Sequence, residues 1–288
     1  MFNKFRTFTL IILCIAVFSG YAQEVDYRGF RLGLQFGGYL PVGNTANYFN
    51  GEDKNENNIN YIMSQPAYRD SIRYYLNVSD TADFFVREFP QNMNYQITIN
   101  PGLYGEYVFN KSTALTFEFN YMVLKLKDAI SIEVEQTDEV LQEPDIRLFP
   151  IKGTEKRIYF NVGMRKNFDT RKGYNWYLNG GMNINNTKVL KSAIYVEEHE
   201  FSLINYYGNQ VIIPGQSQIL PVNQGGIGYG MYAGGGFMFH ANSITFEPGI
   251  ITHYLKVNLE GYKSFNPGFG IYLRFIFDGG KGINQEEE

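Results

Sequence analysis

Eight segments of the chain alternate between apolar and polar residues with a period of two, over about ten residues or more each. A period of two places successive side chains on opposite faces of a β-strand, so the pattern predicts strands with one apolar and one polar face. Strands this long suit a tilted membrane crossing, whereas sandwich strands are usually shorter. The predicted strands cover residues 28–40, 95–109, 114–125, 157–168, 174–186, 226–239, 243–257 and 268–277.

The connections between these segments alternate between short and long. The short connections are residues 110–113, 169–173 and 240–242, and the long ones are roughly 41–93, 126–156, 187–225 and 258–267. Short turns on one side and long loops on the other are typical of outer-membrane barrels. The predicted fold class is therefore all-β, an eight-stranded antiparallel transmembrane β-barrel. We expect periplasmic termini and long extracellular loops.

Two further pairs of segments leave a ten-stranded barrel open as an alternative. Residues 130–136 with 146–151, and residues 193–203 with 211–213, could each form a hairpin that extends the barrel beyond the membrane. These segments are short or polar on both faces, which favours eight membrane-crossing strands. Residues 50–60 are rich in Asn, Glu and Gly and are expected to form a solvated loop tip.

The N-terminus has the pattern of an export signal. Two basic residues, Lys4 and Arg6, precede an apolar run over residues 8–18, and small residues allow cleavage after Ala22. This run is too short for a membrane-spanning helix, which needs about 20 apolar residues. The expected division of the chain is a signal peptide at residues 1–22, an outer-membrane barrel at residues 23–278 and a periplasmic tail at residues 279–288.

Composition excludes several classes of protein. Cys14 is the only cysteine and lies in the predicted signal, so the exported chain is expected to lack disulfides, thiolate metal sites and a cysteine nucleophile. The formal net charge of −4 does not fit a nucleic-acid-binding surface, which would be basic. After the predicted signal, no segment approaches 18 continuous apolar residues, which excludes a helical membrane protein. No motif in the sequence predicts a cofactor site or a metal site.

Large aromatic residues lie at both ends of the predicted apolar face. Aromatic girdles at the two water interfaces are a feature of membrane barrels. The predicted girdle at the short-turn end consists of Phe30, Phe109, Phe168, Trp176, Phe239 and Phe277, and the one at the long-loop end of Tyr95, Tyr121 and Tyr254.

The polar face carries charged residues that make sense only inside a barrel. An eight-stranded barrel is just wide enough for side chains to fill its interior. Buried charges must be paired, and this face offers three acids and three arginines. The predicted polar network of the lumen consists of Arg31, Gln35, Glu106, Glu118, Arg165, Glu247 and Arg274.

The three histidines give little support to catalysis. His253 has the parity of the lumen face and is expected near the outer rim, with Glu247 on the same face about 20 Å away. A hydrolase would need a nucleophile and an orienting acid beside the histidine, and no Gly-x-Ser-x-Gly elbow is present. His199 lies in an acidic loop segment and His240 lies in a tight turn. Neither position predicts a metal site. The expectation is that the protein is not an enzyme.

The four-hairpin layout, the signal ending Tyr21-Ala22-Gln23 and the last strand from Gly270 to Phe275 resemble those of the outer-membrane β-barrel proteins of the Bacteroidota, the group that includes the PorT-like family. The resemblance implies that the last strand carries the insertion signal read by the barrel-assembly machinery. It also implies a role in protein secretion or surface assembly. The expected surroundings are outer-membrane lipids and lipopolysaccharide.

Two tripeptides in the first long connection look like the O-glycosylation motif of this bacterial group. They are centred on Ser71, in Asp70-Ser71-Ile72, and on Thr81, in Asp80-Thr81-Ala82. An ordinary helix cap or turn is the alternative, because Asp, Ser and Thr are favoured there.

Three functions remain open from the sequence. The first is a non-enzymatic barrel whose surface loops bind a partner or support secretion and surface assembly, with no nucleic acid involved. The second is a narrow channel or transporter, suggested by the polar, glycine-rich lumen face. The third is a lipid-modifying enzyme that uses His253.

Overall fold

The computed structural model describes most of the chain. The described residues are 29–41, 43–79, 82–135, 144–170, 174–204, 224–241 and 244–277, together with the backbone of residues 210–211 and 220–221. The predicted signal peptide (1–22), the predicted tail (279–288) and Thr81 lie outside the described residues.

Eight long antiparallel strands form a closed ring, which confirms the predicted fold class. The ring strands are β1 (Gly29–Pro41), β4 (Gly102–Asn110), β5 (Thr113–Val134), β6 (Asp145–Phe168), β7 (Asn175–Val196), β11 (Gly225–Ala241), β12 (Ile244–Lys256) and β13 (Phe265–Phe277). They follow one another around the ring in this order, and β13 pairs back with β1. The pairing of β7 with β11 closes a sheet that would otherwise have two free edges.

Shorter elements lie in the long connections. They are a 3-10 helix (Gly43–Phe49), α1 (Ile59–Ser64), α2 (Pro66–Leu76), β2 (Phe84–Glu88), β3 (Thr98–Ile99), β8 (His199–Ser202), β9 (Gln210–Val211) and β10 (Leu220–Pro221). Among the described residues, no helix is both long and apolar enough to cross a membrane.

The outer surface of the ring is an apolar belt. Within this belt the outward side chains of the ring strands are partly or fully exposed and mostly apolar, while the alternate side chains are buried in the lumen. On β6 the apolar outward run lies between Lys156 and Lys166, which are separated by about 33 Å of extended strand. At the strand tilt of about 40° found in membrane barrels, this corresponds to a height of about 25 Å. That height matches the hydrocarbon band of an outer membrane.

The apolar face changes sides where β5, β6 and β7 leave this belt. Along β5, Phe117 and Phe119 point outward, whereas further along the strand Leu124, Ile130 and Ile132 are buried on the inner face. The extended ends of these three strands form a sheet that rises beyond the barrel, with β2 paired to β5 and β8 paired to β7. We call this sheet, together with residues 43–95 packed against it, the dome.

The helices of the dome begin and end at residues suited to those positions. The Asn58 side chain accepts a hydrogen bond of 2.7 Å from the backbone N–H of Tyr61 and caps α1. Pro66 begins α2, where its missing N–H costs no helical hydrogen bond. Asn77 ends α2 in the left-handed conformation, with φ of 53°. These local signals fix where α1 and α2 begin and end.

The dome has a hydrophobic core of its own. Side chains of the 3-10 helix, α1 and α2 pack against the inner faces of β5, β6 and β7, and burying each large side chain stabilises the dome by about 1.5–3 kcal/mol. The central members are Tyr48, Phe49, Ile59, Ile62, Ile72, Leu76, Phe84, Leu126, Ile130, Ile132, Phe149, Ile151 and Ile194.

Two opposed glycines shape the barrel wall. Gly163 of β6 and Gly181 of β7 lie directly opposite each other, and a Cβ on Gly163 would clash with the hydroxyl of Tyr232 and with the backbone of Gly180. The glycines therefore leave room for Tyr232 to cross the lumen, where its hydroxyl lies 3.2 Å from that of Thr116.

The long connections depart from the sequence predictions in several ways. The hairpin predicted from residues 130–136 and 146–151 is confirmed, since β5 and β6 stay paired up to Val134 and Asp145. In place of the suggested pairing between 193–203 and 211–213, β7 pairs with β8, and Val211 of β9 pairs with β10. Residues 212–213 lie outside the described residues. These short pairs add no strand to the ring, so the ten-stranded alternative is wrong.

Residues 50–60 are not a solvated tip. Asn50, Asn55 and Asn57 are buried within the dome, where hydrogen bonds replace their contacts with water. Tyr95 does not belong to the aromatic girdle, because its ring is buried and its hydroxyl lies 3.2 Å from that of Thr45.

Candidate functional site: the filled lumen and the outer face of the dome

The structure brings all seven residues of the predicted lumen network together inside the ring, where each is buried. The six charged members form a continuous series of ion pairs. The pairs are Arg31 with Glu106, Glu106 with Arg165 (3.3 Å), Arg165 with Glu247, Glu247 with Arg274 (3.7 Å) and Arg274 with Glu118. Three positive and three negative side chains alternate along this series, so the buried charges balance.

Neutral groups complete the network. Arg274 donates a hydrogen bond of 2.7 Å to Gln35, and the Gln35 amide donates to Asn120 at 2.9 Å. The guanidinium groups also lie over aromatic rings, with Arg165 above Tyr177 at 3.9 Å and Arg274 next to Tyr104 at 4.2 Å. Such contacts offset part of the cost of removing the arginines from water.

The lumen also contains an asparagine ladder, which the predicted network did not include. Asn185 donates to Asn183 at 3.2 Å, Asn183 donates to Asn161 at 2.6 Å, and Asn161 donates to Glu118 at 2.9 Å. Asn183 and Asn185 are inward residues of β7, two positions apart. Their period of two was therefore a usable signal in the sequence.

A second buried ion pair lies where the dome meets the barrel. Arg157 donates to Glu155 at 2.6 Å and to the Thr45 hydroxyl at 3.0 Å, and its guanidinium lies 5.4 Å from the ring centre of Tyr95. Residues 126–156 were predicted to be a loop, so Glu155 was not expected to be buried. The hydrogen bond from Arg157 to Thr45 joins β6 to the 3-10 helix.

His253 lies inside the lumen and not at the rim, so that prediction is wrong. The side chain is only 1% exposed, and the rings of Tyr39, Tyr159 and Tyr232 surround it at centroid distances of 5.3–6.2 Å. The amide nitrogen of Asn161 lies 3.4 Å from the Nε2 ring nitrogen of His253. In this position the tyrosine rings and the barrel separate the imidazole from lipid.

The other two histidines have local structural contacts. His199 stacks on Tyr75 with a centroid separation of 3.6 Å, and Nδ1 of His240 lies 2.9 Å from the Thr245 hydroxyl. Within the described ranges, no group of three or more His, Cys, Asp or Glu residues could hold a metal ion.

The junction of barrel and dome contains a cavity of about 10 Å³, lined in part by Tyr39, Thr45, Arg157 and Leu255. A volume of this size holds about one water molecule. A cavity of this size cannot hold a larger solute at this junction.

Two loops are tied together above the lumen. The side-chain amides of Asn57 and Gln224 exchange two hydrogen bonds, of 2.9 Å and 2.7 Å, and both residues are buried. The contact joins the first long connection to the third.

The outer face of the dome carries an exposed apolar surface. Leu148 is 72% exposed, Phe85 46% and Ile146 44%. Phe85 and Ile146 both lie opposite Glu133 in the strand pairing, so they share its face of the sheet. Leu148 lies two residues further along β6 on the same face. We call these three residues the dome patch.

Charged pairs border this face. Arg87 and Glu133 form a salt bridge of 3.0 Å beside the dome patch. Further down the sheet, a hydrogen bond from Lys191 lowers the pKa of Glu200, and the same contact raises the pKa of Lys191.

The O-glycosylation sites stay predictions. Ser71 lies inside α2, where its hydroxyl donates a hydrogen bond of 2.8 Å to the backbone oxygen of Ala67. Thr81 is outside the described residues.

The closed ring, its apolar belt and its filled polar interior define an integral β-barrel of the outer-membrane type. No protein-family model matches the chain, and no curated protein does.

Solved structures of outer-membrane proteins are similar to it. Neisserial surface protein A has 10% sequence identity and a TM-score of 0.39, covering 86% of this chain and 97% of that one. OprG from Pseudomonas aeruginosa has 9% identity and a TM-score of 0.37, covering 88% and 94%. Ail of Yersinia pestis has 9% identity and a TM-score of 0.32, covering 87% and 99%.

Proposed function

We propose that this protein is a non-enzymatic outer-membrane barrel whose dome binds a partner protein at the cell surface, in a PorT-like role in secretion or surface assembly. In this proposal the termini are periplasmic and the long loops are extracellular. The barrel-assembly machinery would insert the chain into the membrane.

The observation that carries the proposal is the dome patch. Leu148 lies ten residues along β6 from Ile158, in the apolar belt, and thus about 33 Å further along the strand. This distance takes the dome patch well clear of the hydrocarbon layer, so lipid does not account for its exposed apolar side chains. Exposed apolar clusters rimmed by polar residues mark protein-binding surfaces.

The interior of the barrel supports the same proposal. Balanced ion pairs and tyrosine rings fill the lumen, which argues against a solute path through the described residues. His253 is enclosed by three tyrosines, which argues against lipid chemistry at that residue. Function is then best assigned to the surface.

The dome is also rigid enough to present such a surface. Five paired strands, a hydrophobic core and the amide exchange between Asn57 and Gln224 hold it together. Rigid surfaces lose little entropy on binding, which favours affinity.

Crosslinking in intact cells, followed by purification of the barrel, tests the proposal. We expect secretion or surface-assembly proteins to be captured by the wild type, and Leu148→Asp to lower their yield at least about tenfold, because the charge would be buried in the interface. The matched control is Tyr74→Asp on α2, since Tyr74 is 78% exposed and outside the dome patch. Recovery of the barrel alone, or equal capture by Leu148→Asp and wild type, would contradict the proposal.

A further inference from the structure

Six lysines lie on the outer face of the dome sheet, where it begins directly beyond the apolar belt. They belong to three adjacent strands, β5, β6 and β7, and we call them the lysine grid. The members are Lys125, Lys127, Lys152, Lys156, Lys188 and Lys191.

The strand pairing places several of these lysines directly opposite each other. Lys127 lies opposite Lys152, and Lys156 lies opposite Lys188. Directly opposed residues have Cβ atoms about 5 Å apart, and like charges in this position destabilise a sheet. The chain therefore contains two unfavourable pairs, four residues apart along β6. Anionic groups bound at these pairs would relieve the repulsion.

The row between these two pairs is also basic. Thr154 of β6 lies opposite Lys125 on one side and opposite Lys191 on the other. The three rows follow one another every two residues, so they are about 7 Å apart along the strands. Their ammonium groups and the Thr154 hydroxyl together form a continuous donor surface.

Little negative charge from the protein neutralises this surface. Glu200 pairs with Lys191, and the Lys152 ammonium lies 3.9 Å from the ring centre of Tyr195. Among the described residues, no acid forms an ion pair with the other lysines of the grid.

Neighbouring acids on the same strands are directed elsewhere. Glu133 pairs with Arg87, and Glu155 is buried with Arg157 on the inner face. Asp128 lies opposite Ile151, a residue of the inner face. The grid therefore keeps about five uncompensated positive charges.

The height of the grid matches the headgroup layer of the membrane. Lys156 ends the apolar outward run of β6, and Lys125 follows Tyr121 and Val123 on β5. Because lysine stems are apolar and flexible, they can lie along the belt while the ammonium groups reach the interface.

We propose that the lysine grid binds the phosphate groups of a lipid headgroup in the adjacent leaflet, on the side of the long connections. Lysine binds phosphate as a point charge, and the three rows together match a headgroup that carries more than one phosphate. With the long loops outside the cell, that lipid is the phosphorylated glycolipid of the outer leaflet. The inference uses the proposed orientation but not the proposed partner.

The test measures binding of diphosphorylated lipid A to the folded barrel in detergent micelles. We expect the triple variant Lys127→Gln, Lys152→Gln, Lys156→Gln to lose at least about tenfold in affinity at low salt, because each interfacial lysine contributes a favourable interaction with an anionic lipid. The loss should shrink at high salt, where exposed charges are screened. The control triple, Lys54→Gln, Lys166→Gln, Lys263→Gln, removes the same charge elsewhere and should bind as the wild type does.

Further measurements separate the ligand sources. Fully dephosphorylated lipid A should bind much more weakly than the diphosphorylated form, and millimolar inorganic phosphate should not displace the lipid. Equal binding by the two triple variants, equal binding of both lipid forms, or displacement by free phosphate would each overturn the inference. Gel mobility with and without heating confirms that each variant is folded. The single variant Lys156→Gln should show a smaller loss of affinity in the same direction. Partner capture through Leu148 is a separate readout, so the two proposals can fail independently.

Discussion

Replacing Arg165 with methionine is expected to lower the free energy of unfolding by about 3–5 kcal/mol. Arg165 is buried and pairs with both Glu106 and Glu247. Its removal leaves the lumen with three carboxylates and two arginines, so one negative charge stays buried without compensation. Urea unfolding of the barrel folded in lipid vesicles measures the loss.

A double variant makes this prediction sharper. Removing Glu247 together with Arg165, as Arg165→Met with Glu247→Leu, leaves the balanced pairs Arg31 with Glu106 and Arg274 with Glu118. The double variant should therefore be more stable than Arg165→Met alone. The effects of the two substitutions are then strongly non-additive, which shows that the two sites are coupled. Arg69→Met, which breaks the surface pair with Asp83, is the control and should cost less than about 1 kcal/mol. Additive losses in the double variant would contradict the network.

Replacing Phe49 with alanine is expected to destabilise the dome by about 3–5 kcal/mol. Phe49 is fully buried, packs edge-to-face on Tyr48 at 5.2 Å and contacts β6 at Gly153, where no larger residue would fit. The alanine leaves a cavity that these neighbours cannot fill without moving the 3-10 helix.

Hydrogen exchange measures this effect separately for dome and barrel. Amides of residues 59–76 should lose protection in Phe49→Ala, whereas amides of β12 and β13 should keep theirs, because local opening need not unfold the whole chain. Tyr74→Ala, at an exposed position of α2, should leave both regions unchanged. If the dome amides of Phe49→Ala kept their protection from hydrogen exchange, the core around Phe49 would not be what holds the dome to the barrel.

The ring of strands could be predicted because its signal is local. A period of two assigns each residue to one face, so the inward parity of Arg31, Glu106 and Arg274 was evident without knowledge of their partners. Burial of charge requires pairing, and the counts of acids and arginines then indicated a balanced lumen.

The dome could not be predicted in the same way. Its strands continue those of the barrel, but the apolar residues move from the outer to the inner face, as from Phe119 to Leu124 on β5. A prediction that requires apolar residues to stay on one face therefore ends the strand at that point. Just beyond the belt the outer face of β5 is polar, with Lys125 and Lys127, because water and headgroups replace lipid at that height.

Other features could not be predicted because they depend on contacts between residues far apart in the sequence. Asn57 and Gln224 are 167 residues apart, so nothing near Asn57 in the sequence indicated that it would be buried. Tyr95 carries the aromatic signal of a girdle residue, yet Thr45 and Arg157 hold its hydroxyl inside the dome. His253 was assigned to the rim because it lies near the end of the predicted strand 243–257, and the rings that enclose it come from distant parts of the chain.

Conductance across a planar bilayer tests the central claim most directly, namely that the barrel is filled and acts through its surface. We predict that the folded protein inserts without producing current steps above those of the bare membrane, because ion pairs and tyrosine rings occupy the lumen. Stepwise, voltage-stable conductance from the wild type would contradict the claim and would assign the protein to the channels.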